Sequence, residues 1–272
     1  MRLSLEFSLS NEPLDLSGIL PESVLGRTRA EITRLPVRLS GHPARLGDIC
    51  RVRMASHGKD ELILSGDTAV VDHIGWHMTS GSLVVDGDAG YGTGEGMSGG
   101  TLEVRGGAGD CLGLALQGGL IHVYGSTGDW CGANIPGREE GMRGGVILVA
   151  GNAGRELGSA MRRGLIYVAG TIGEYCASRL LAGTILCAGR VGKYAAAGMR
   201  RGSLVAGTIE AILPGFLPSG LADTGWLRLY LETLKGLGIP LPEKWAQAVP
   251  HSYTGDMLES GKGEILVYDE PQ

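Results

Sequence analysis

Aromatic side chains are scarce, 5% of 272 residues with only two phenylalanines, so the interior has to be filled by Val, Ile, Leu, Ala and Met. Charge is sparse too. Charged residues make up 19% and the net charge is −5, which gives no electrostatic reason to expect nucleic acid or an anionic membrane as partner. No apolar run approaches the roughly 20 residues that span a bilayer. The opening MRLSLEFSLS alternates polar and apolar residues and lacks the apolar stretch of a secretory signal. Cys50, Cys111, Cys131, Cys176 and Cys187 are odd in number and have no CxxC spacing. They read as free thiols of a reducing cytoplasm. There is no GxSxG, no HExxH, no Ser-His-Asp order and no opposed carboxylate pair. The expectation is a chain without catalytic, cofactor-binding or metal-binding residues of its own.

What is present in excess is glycine. The 48 glycines far exceed the usual share of roughly 7%. Collagen would need one at every third position, which is not seen. Disorder conflicts with 43% hydrophobic residues. A repeat fold remains, and the repeat is visible. Gly81, Gly100, Gly119, Gly145, Gly164, Gly183 and Gly202 open successive units, spaced 19, 19, 26, 19, 19 and 19 residues apart. The long step holds a seven-residue insertion around 134–140.

Superposed, the units read G-x-[LI]-x-[VC]-x-G-x-x-G-x-x-x-[GA]-x-x-[ML]-x-x. The third and fifth places carry pairs such as Leu102 and Val104, or Ile121 and Val123. Apolar residues two apart signal a short strand with one buried face, and the flanking glycines mark corners. A coil this short cannot enclose a core alone. Stacked parallel about 4.8 Å apart, successive coils bury a continuous column. A helical repeat is excluded because no unit has a glycine-free run long enough. A left-handed hexapeptide helix fails because 19 is not a multiple of its period. The fold expected is all-β: a right-handed parallel β-helix (solenoid) with an N-terminal cap over residues 1–45, the repeat over 46–210 and a C-terminal helical extension and tail over 211–272.

In the C-terminal segment, Trp226, Leu229, Tyr230, Thr233, Leu234 and Leu237 recur at helical spacing. Thr224 stands where an N-cap is expected, and Gly236, Gly238 and Pro240 end the run. The helix could pack on the last coil, dock a partner, or do both. Three local patterns invite a chemical reading and fail. GYGTGEG (90–96) has glycines in phase with every other coil and no following helix, as a phosphate loop would need. His73 and His77 would present zinc spacing only on a helix, which Gly75 opposes. Cys131 and Cys176 share the thirteenth place two coils apart, about 9–10 Å, too far for a disulfide.

The eighteenth place carries Arg143, Arg162 and Arg200, and the nineteenth adds Arg163 and Arg201. Stacking makes these a basic stripe, either plain solvated surface or a docking strip for an acidic subunit or polyanionic carrier. The candidate docking residues are Arg143, Arg162, Arg163, Arg200, Arg201, Trp226, Tyr230 and Leu234, with the loop IPGREEG (135–141) beside them.

The repeat, together with PVRLSGHPARLGDICRV at 36–52, resembles the C subunit of formylmethanofuran dehydrogenase over roughly residues 30–210. The C-terminal β-helix of the glutamate synthase large subunit is similar. GWLRLYLETLKGLGIPLP (225–242) resembles the bacterial form of that C subunit, in the formyltransferase/hydrolase complex of methylotrophs. The resemblance implies a cytoplasmic complex of one-carbon metabolism built from four subunits. That complex moves a formyl group from formyl-tetrahydromethanopterin to a methanofuran-type carrier and hydrolyses it to formate. It also implies that the partners are an amidohydrolase-like subunit with metal, a formyltransferase and a molybdopterin-oxidoreductase-like subunit, and that this chain joins them as a non-catalytic scaffold. The alternatives are the C subunit of an archaeal-type molybdenum or tungsten dehydrogenase and a glutamate-synthase-like scaffold.

Overall fold

The structure, a computed structural model, describes residues 1–9, 11–55, 59–222 and 224–269, so the last three residues of the 211–272 segment lie outside it. Among these residues the dominant element is one sheet of thirteen strands. The repeat supplies its middle: Ser82–Asp86, Thr101–Val104, Leu120–Val123, Val146–Val149, Leu165–Val168, Thr184–Val191 and Arg201–Ile209, each parallel to the next. Register is strict. Leu83, Leu102, Ile121, Ile147, Ile166, Ile185 and Leu204 pair in sequence, as do Val85, Val104, Val123, Val149, Val168, Cys187 and Ala206. All fourteen side chains are fully buried. Each Val, Leu or Ile among them contributes roughly 1.5–3 kcal/mol on leaving water. The insertion leaves this register intact, since Leu120 still pairs with Val146.

Further columns close the core. Parallel bridges join Ala89, Ala108, Thr127, Ala153, Ile172 and Val191 at the ninth place. The thirteenth place stacks Thr93, Leu112, Cys131, Leu157, Cys176 and Ala195, all buried. The seventeenth stacks Met97, Leu116, Met142, Met161, Leu180 and Met199, each fully enclosed. The opening glycines have a steric reason. At Gly119, φ is +87° and an added Cβ would stand 2.7 Å from Met97 Cε and 2.8 Å from the Gly100 carbonyl.

Both flanks of the repeat enter the same sheet. Arg2–Phe7 runs parallel to Glu61–Gly66 and antiparallel to Cys50–Ala55, which forms one edge. Leu3 and Leu5 pair with Leu62 and Leu64, so the start of the chain extends both apolar columns. At the other end Lys262–Val267 pairs parallel with Arg201–Ile209, placing Ile265 and Val267 on the same columns. His251–Gly255 and Leu217–Leu221 follow antiparallel and form the second edge.

The helix Gly225–Gly236 is present, and of the expected face Leu234, Trp226 and Tyr230 pack on the core while Leu229, Thr233 and Leu237 do not. Leu227, Leu231 and Leu234 are buried, whereas Leu229 is 73% and Leu237 41% exposed. The buried row joins Ile239 and Trp245 against Leu148, Tyr167, Leu186, Val205 and Leu266, the outward residues of five strands. The helix therefore covers the back of several strands, not the last coil alone. Thr224 occupies the cap position without a side-chain capping bond. The C-terminus closes with Gly238 N–H donating to Lys235 O and Ile239 N–H to Leu234 O, and Gly238 sits at φ +77°. Tyr167 Oη donates to Pro240 O at 2.8 Å and fixes the exit of the helix.

Candidate docking surface

The arginine stripe begins in backbone geometry. After each seventeenth residue the chain bends, and two successive N–H groups donate to one carbonyl of the coil below. Arg162 and Arg163 donate to Met142 O at 2.8 and 3.2 Å, and Arg200 and Arg201 to Leu180 O at 2.8 and 3.4 Å. Arg143 donates to Leu116 O at 2.7 Å. With the backbone held and the methionine column inward, the guanidinium groups project outward.

Arg162, Arg163, Arg200, Arg201 and Tyr230 come together along a groove of about 950 Å³. Arg143 does not line it. Leu181 and Ala182 take the eighteenth and nineteenth places of the intervening coil, and Arg179 from the sixteenth place lines the groove there. Glu139, Glu140 and Glu259 stand among the five arginines, leaving an excess of two positive charges. Glu140, on the insertion, accepts from Arg143 Nε at 3.1 Å and also pairs with Arg162. Glu259, on the turn before the last strand, accepts from Arg200 Nε at 3.2 Å. These pairs are half exposed and contribute little to stability. Arg163 and Arg201 have no ion-pair partner among the described residues.

The other candidates separate. Tyr230 lines the groove, and Trp226 meets it edge to face at 5.8 Å. Leu234 is fully buried beneath the helix and is core, because its side chain points to the strand backs and not to solvent. Arg179 and Glu259 are additions that neither the basic stripe nor the 135–141 loop marks, whereas Glu140 lies on that loop. Arg179 is legible as a large residue at a place otherwise held by Gly96, Ala115, Ala160 and Gly198. Glu259 is not legible, because its position depends on the last strand returning to the stack.

The rejected motifs have structural explanations. His73 and His77 both have positive φ, and their rings cover glycines of the next coil. An added Cβ at Gly92 would lie 2.8 Å from His73 Cδ2, and at Gly96 2.6 Å from His77 Cε1. The extra glycines of GYGTGEG thus make room for imidazoles. His73 Nδ1 lies 3.6 Å from Asp15 and Nε2 4.0 Å from Glu95. No group of three or more His, Cys, Asp or Glu among the described residues could hold a metal, and no helix among them is long and apolar enough to cross a membrane. The five cysteines are unpaired. Burial pushes the Cys131 and Cys187 thiols up to about 12.

Fold and surface together define a glycine-rich, mostly β protein built on one large, mostly parallel sheet with an arginine-lined groove. No family model matches the sequence. Over 79 residues it is 37% identical to the C subunit of the formyltransferase/hydrolase complex Fhc from Methylorubrum extorquens, a stretch spanning 29% of this chain and 29% of that protein. A chain in the crystal structure of the FhcABCD complex from the same organism, determined with methylofuran, superposes with a TM-score of 0.88. It shares 35% identity across 98% of this chain and 100% of that one. The chain belongs to the family of C subunits of the formyltransferase/hydrolase complex.

Proposed function

We propose that this chain is the non-catalytic scaffold that joins the hydrolase and formyltransferase subunits of such a complex. The assembly converts formyl-tetrahydromethanopterin to formate through a methanofuran-type carrier. The observation that carries the reading is the end-to-end superposition on a chain of FhcABCD. The parallel ladders fit a right-handed β-helix, a rigid rod suited to holding neighbours at fixed spacing. Residues 46–210 serve as the repeat body, 1–45 as the cap at its start, and 211–272 as the extension that returns over its back. The metal and the carrier belong to the partners, which are an amidohydrolase-like, a formyltransferase and a molybdopterin-oxidoreductase-like subunit, in the cytoplasm. Arg143, Arg162, Arg163, Arg200, Arg201, Trp226 and Tyr230 form the contact surface for one of them.

Affinity purification of the tagged chain from its native cell tests this. Co-elution of an amidohydrolase-like chain and a formyltransferase, with formate released from formyl-tetrahydromethanopterin, is expected. Recovery of a lone chain that turns over substrate contradicts it.

A further inference from the structure

A second cavity, of about 340 Å³, opens against the same insertion, and Arg179 lines both this cavity and the arginine groove. Its character is different. The floor is Leu114 and Cys111, buried in a small cluster with Ala133 on which Ile135 of the insertion packs. Tyr91 and Trp130 line it as aromatic walls, 46% and 38% exposed. Backbone strain fixes this shape. Cys111, Trp130 and Glu156 occupy the same place in three successive coils, all with positive φ, and each N–H donates to the next coil at 2.8–2.9 Å.

Glu156 is the unexplained group. It lines the cavity half-buried, and its carboxylate has no hydrogen-bond or ion-pair partner among the described residues. Arg179 lines the same cavity but forms no ion pair with Glu156 among the described residues; that guanidinium donates to Ser159 Oγ at 3.0 Å. The carboxylates of Glu95, Asp110 and Asp129 lie near, the last of them paired with Arg155 at 3.2 Å. The Tyr91 hydroxyl is pushed up to about 12 by its hydrogen bond to the Cys111 thiol, by burial, and by Glu95 and Asp110. Burial raises the Cys111 thiol, with Asp110, Glu95 and Asp129 adding to it. A carboxylate without an ion-pair partner attracts a cation, and a cation gains further from aromatic faces.

We infer that this cleft seats a basic side chain of a neighbouring subunit, its aliphatic stem on Leu114 and its charge against Glu156, Trp130 and Tyr91. The inference rests on the scaffold reading above. It gives the insertion a purpose: residues 134–140 stand between a groove that selects acidic surface and a cleft that selects a basic side chain. Opposed charge preferences on the two sides sort neighbours by sign and exclude swapped docking.

The test uses the tagged full-length chain in its native cell, with a photo-crosslinking amino acid at Tyr91, and purified partner subunits titrated onto immobilised chain. The crosslink maps to a lysine- or arginine-bearing stretch of one partner. Glu156→Gln and Trp130→Ala each raise that partner's half-saturation concentration roughly tenfold, with melting temperature unchanged. Wild-type binding by both variants overturns the inference and leaves the scaffold reading standing, as does a crosslink to a stretch without basic residues. If the unaltered chain retains no partner, the scaffold reading fails and the cleft falls with it.

Discussion

At the corners of the stack, individual residues are held in the left-handed region: Cys111, Trp130, Glu156, Tyr175 and Tyr194 all have φ near +60°. Each costs roughly 1–2 kcal/mol, which inter-coil hydrogen bonds such as Trp130 N–H to Arg155 O at 2.8 Å offset. Where glycine stands, the constraint is harder. Gly119→Ala meets both positive φ and the Gly100 carbonyl. It should lower unfolding free energy by more than about 1 kcal/mol in urea titration. The glycine rows are readable in the sequence, whereas the strained corners are not, because His, Cys, Trp, Glu and Tyr share no side-chain signal for that conformation.

The enclosed thiols make a second residue-scale prediction. Cys131 and Cys187 ionise near 12 when folded, against 9.0 in the open chain. Above pH 9 the unfolded state therefore binds fewer protons than the folded one, and stability falls as pH rises. Each thiol contributes a loss of roughly 1.4 kcal/mol per pH unit between those values, and none below pH 9. Urea midpoints at pH 8, 9.5 and 10.5 check the sign. Replacing both thiols by alanine should lessen the alkaline slope, while Cys50, Cys111 and Cys176, which burial also raises, keep part of it.

At the scale of elements, the C-terminal helix carries two apolar rows. One is Leu227, Leu231 and Leu234, the other Trp226, Leu229, Tyr230, Thr233 and Leu237, with Leu234 at helical spacing from both. Helical periodicity alone cannot choose between them. The choice is made by the fourth place of the coils, which after Val84 is Glu103 and His122 and then Leu148, Tyr167, Leu186 and Val205 in succession. An apolar row on the outside of a strand needs a cover, and the helix supplies it. Leu231→Ala should cost roughly 2–5 kcal/mol, while Leu229→Ser should change stability by no more than about 0.5 kcal/mol. Equal effects in thermal melts would contradict the assigned face. The last strand is not legible in the same way. Gly263, Ile265 and Val267 repeat the first, third and fifth places of a coil, but a separation of some sixty residues from Gly202 hides the match.

At the scale of the whole molecule, the stack converts sequence spacing into surface pattern. Arginines 19 residues apart, such as Arg143 and Arg162, and the pair at 200–201 two coils further on, fall along one corner. That corner is visible from the repeat. Of its counter-charges, Glu140 lies on the insertion 135–141 that the sequence already sets beside this corner, whereas Glu259 sits on a turn beyond the repeat and is not visible. The most direct measurement is the elution of tagged chain carrying Arg143→Glu, Arg162→Glu and Arg200→Glu, compared with wild type, by size-exclusion chromatography with mass detection. The account predicts loss of partner subunits from the triple variant, with melting shifted by no more than a few degrees because the altered pairs are exposed. A triple variant that still elutes as the intact complex would contradict it.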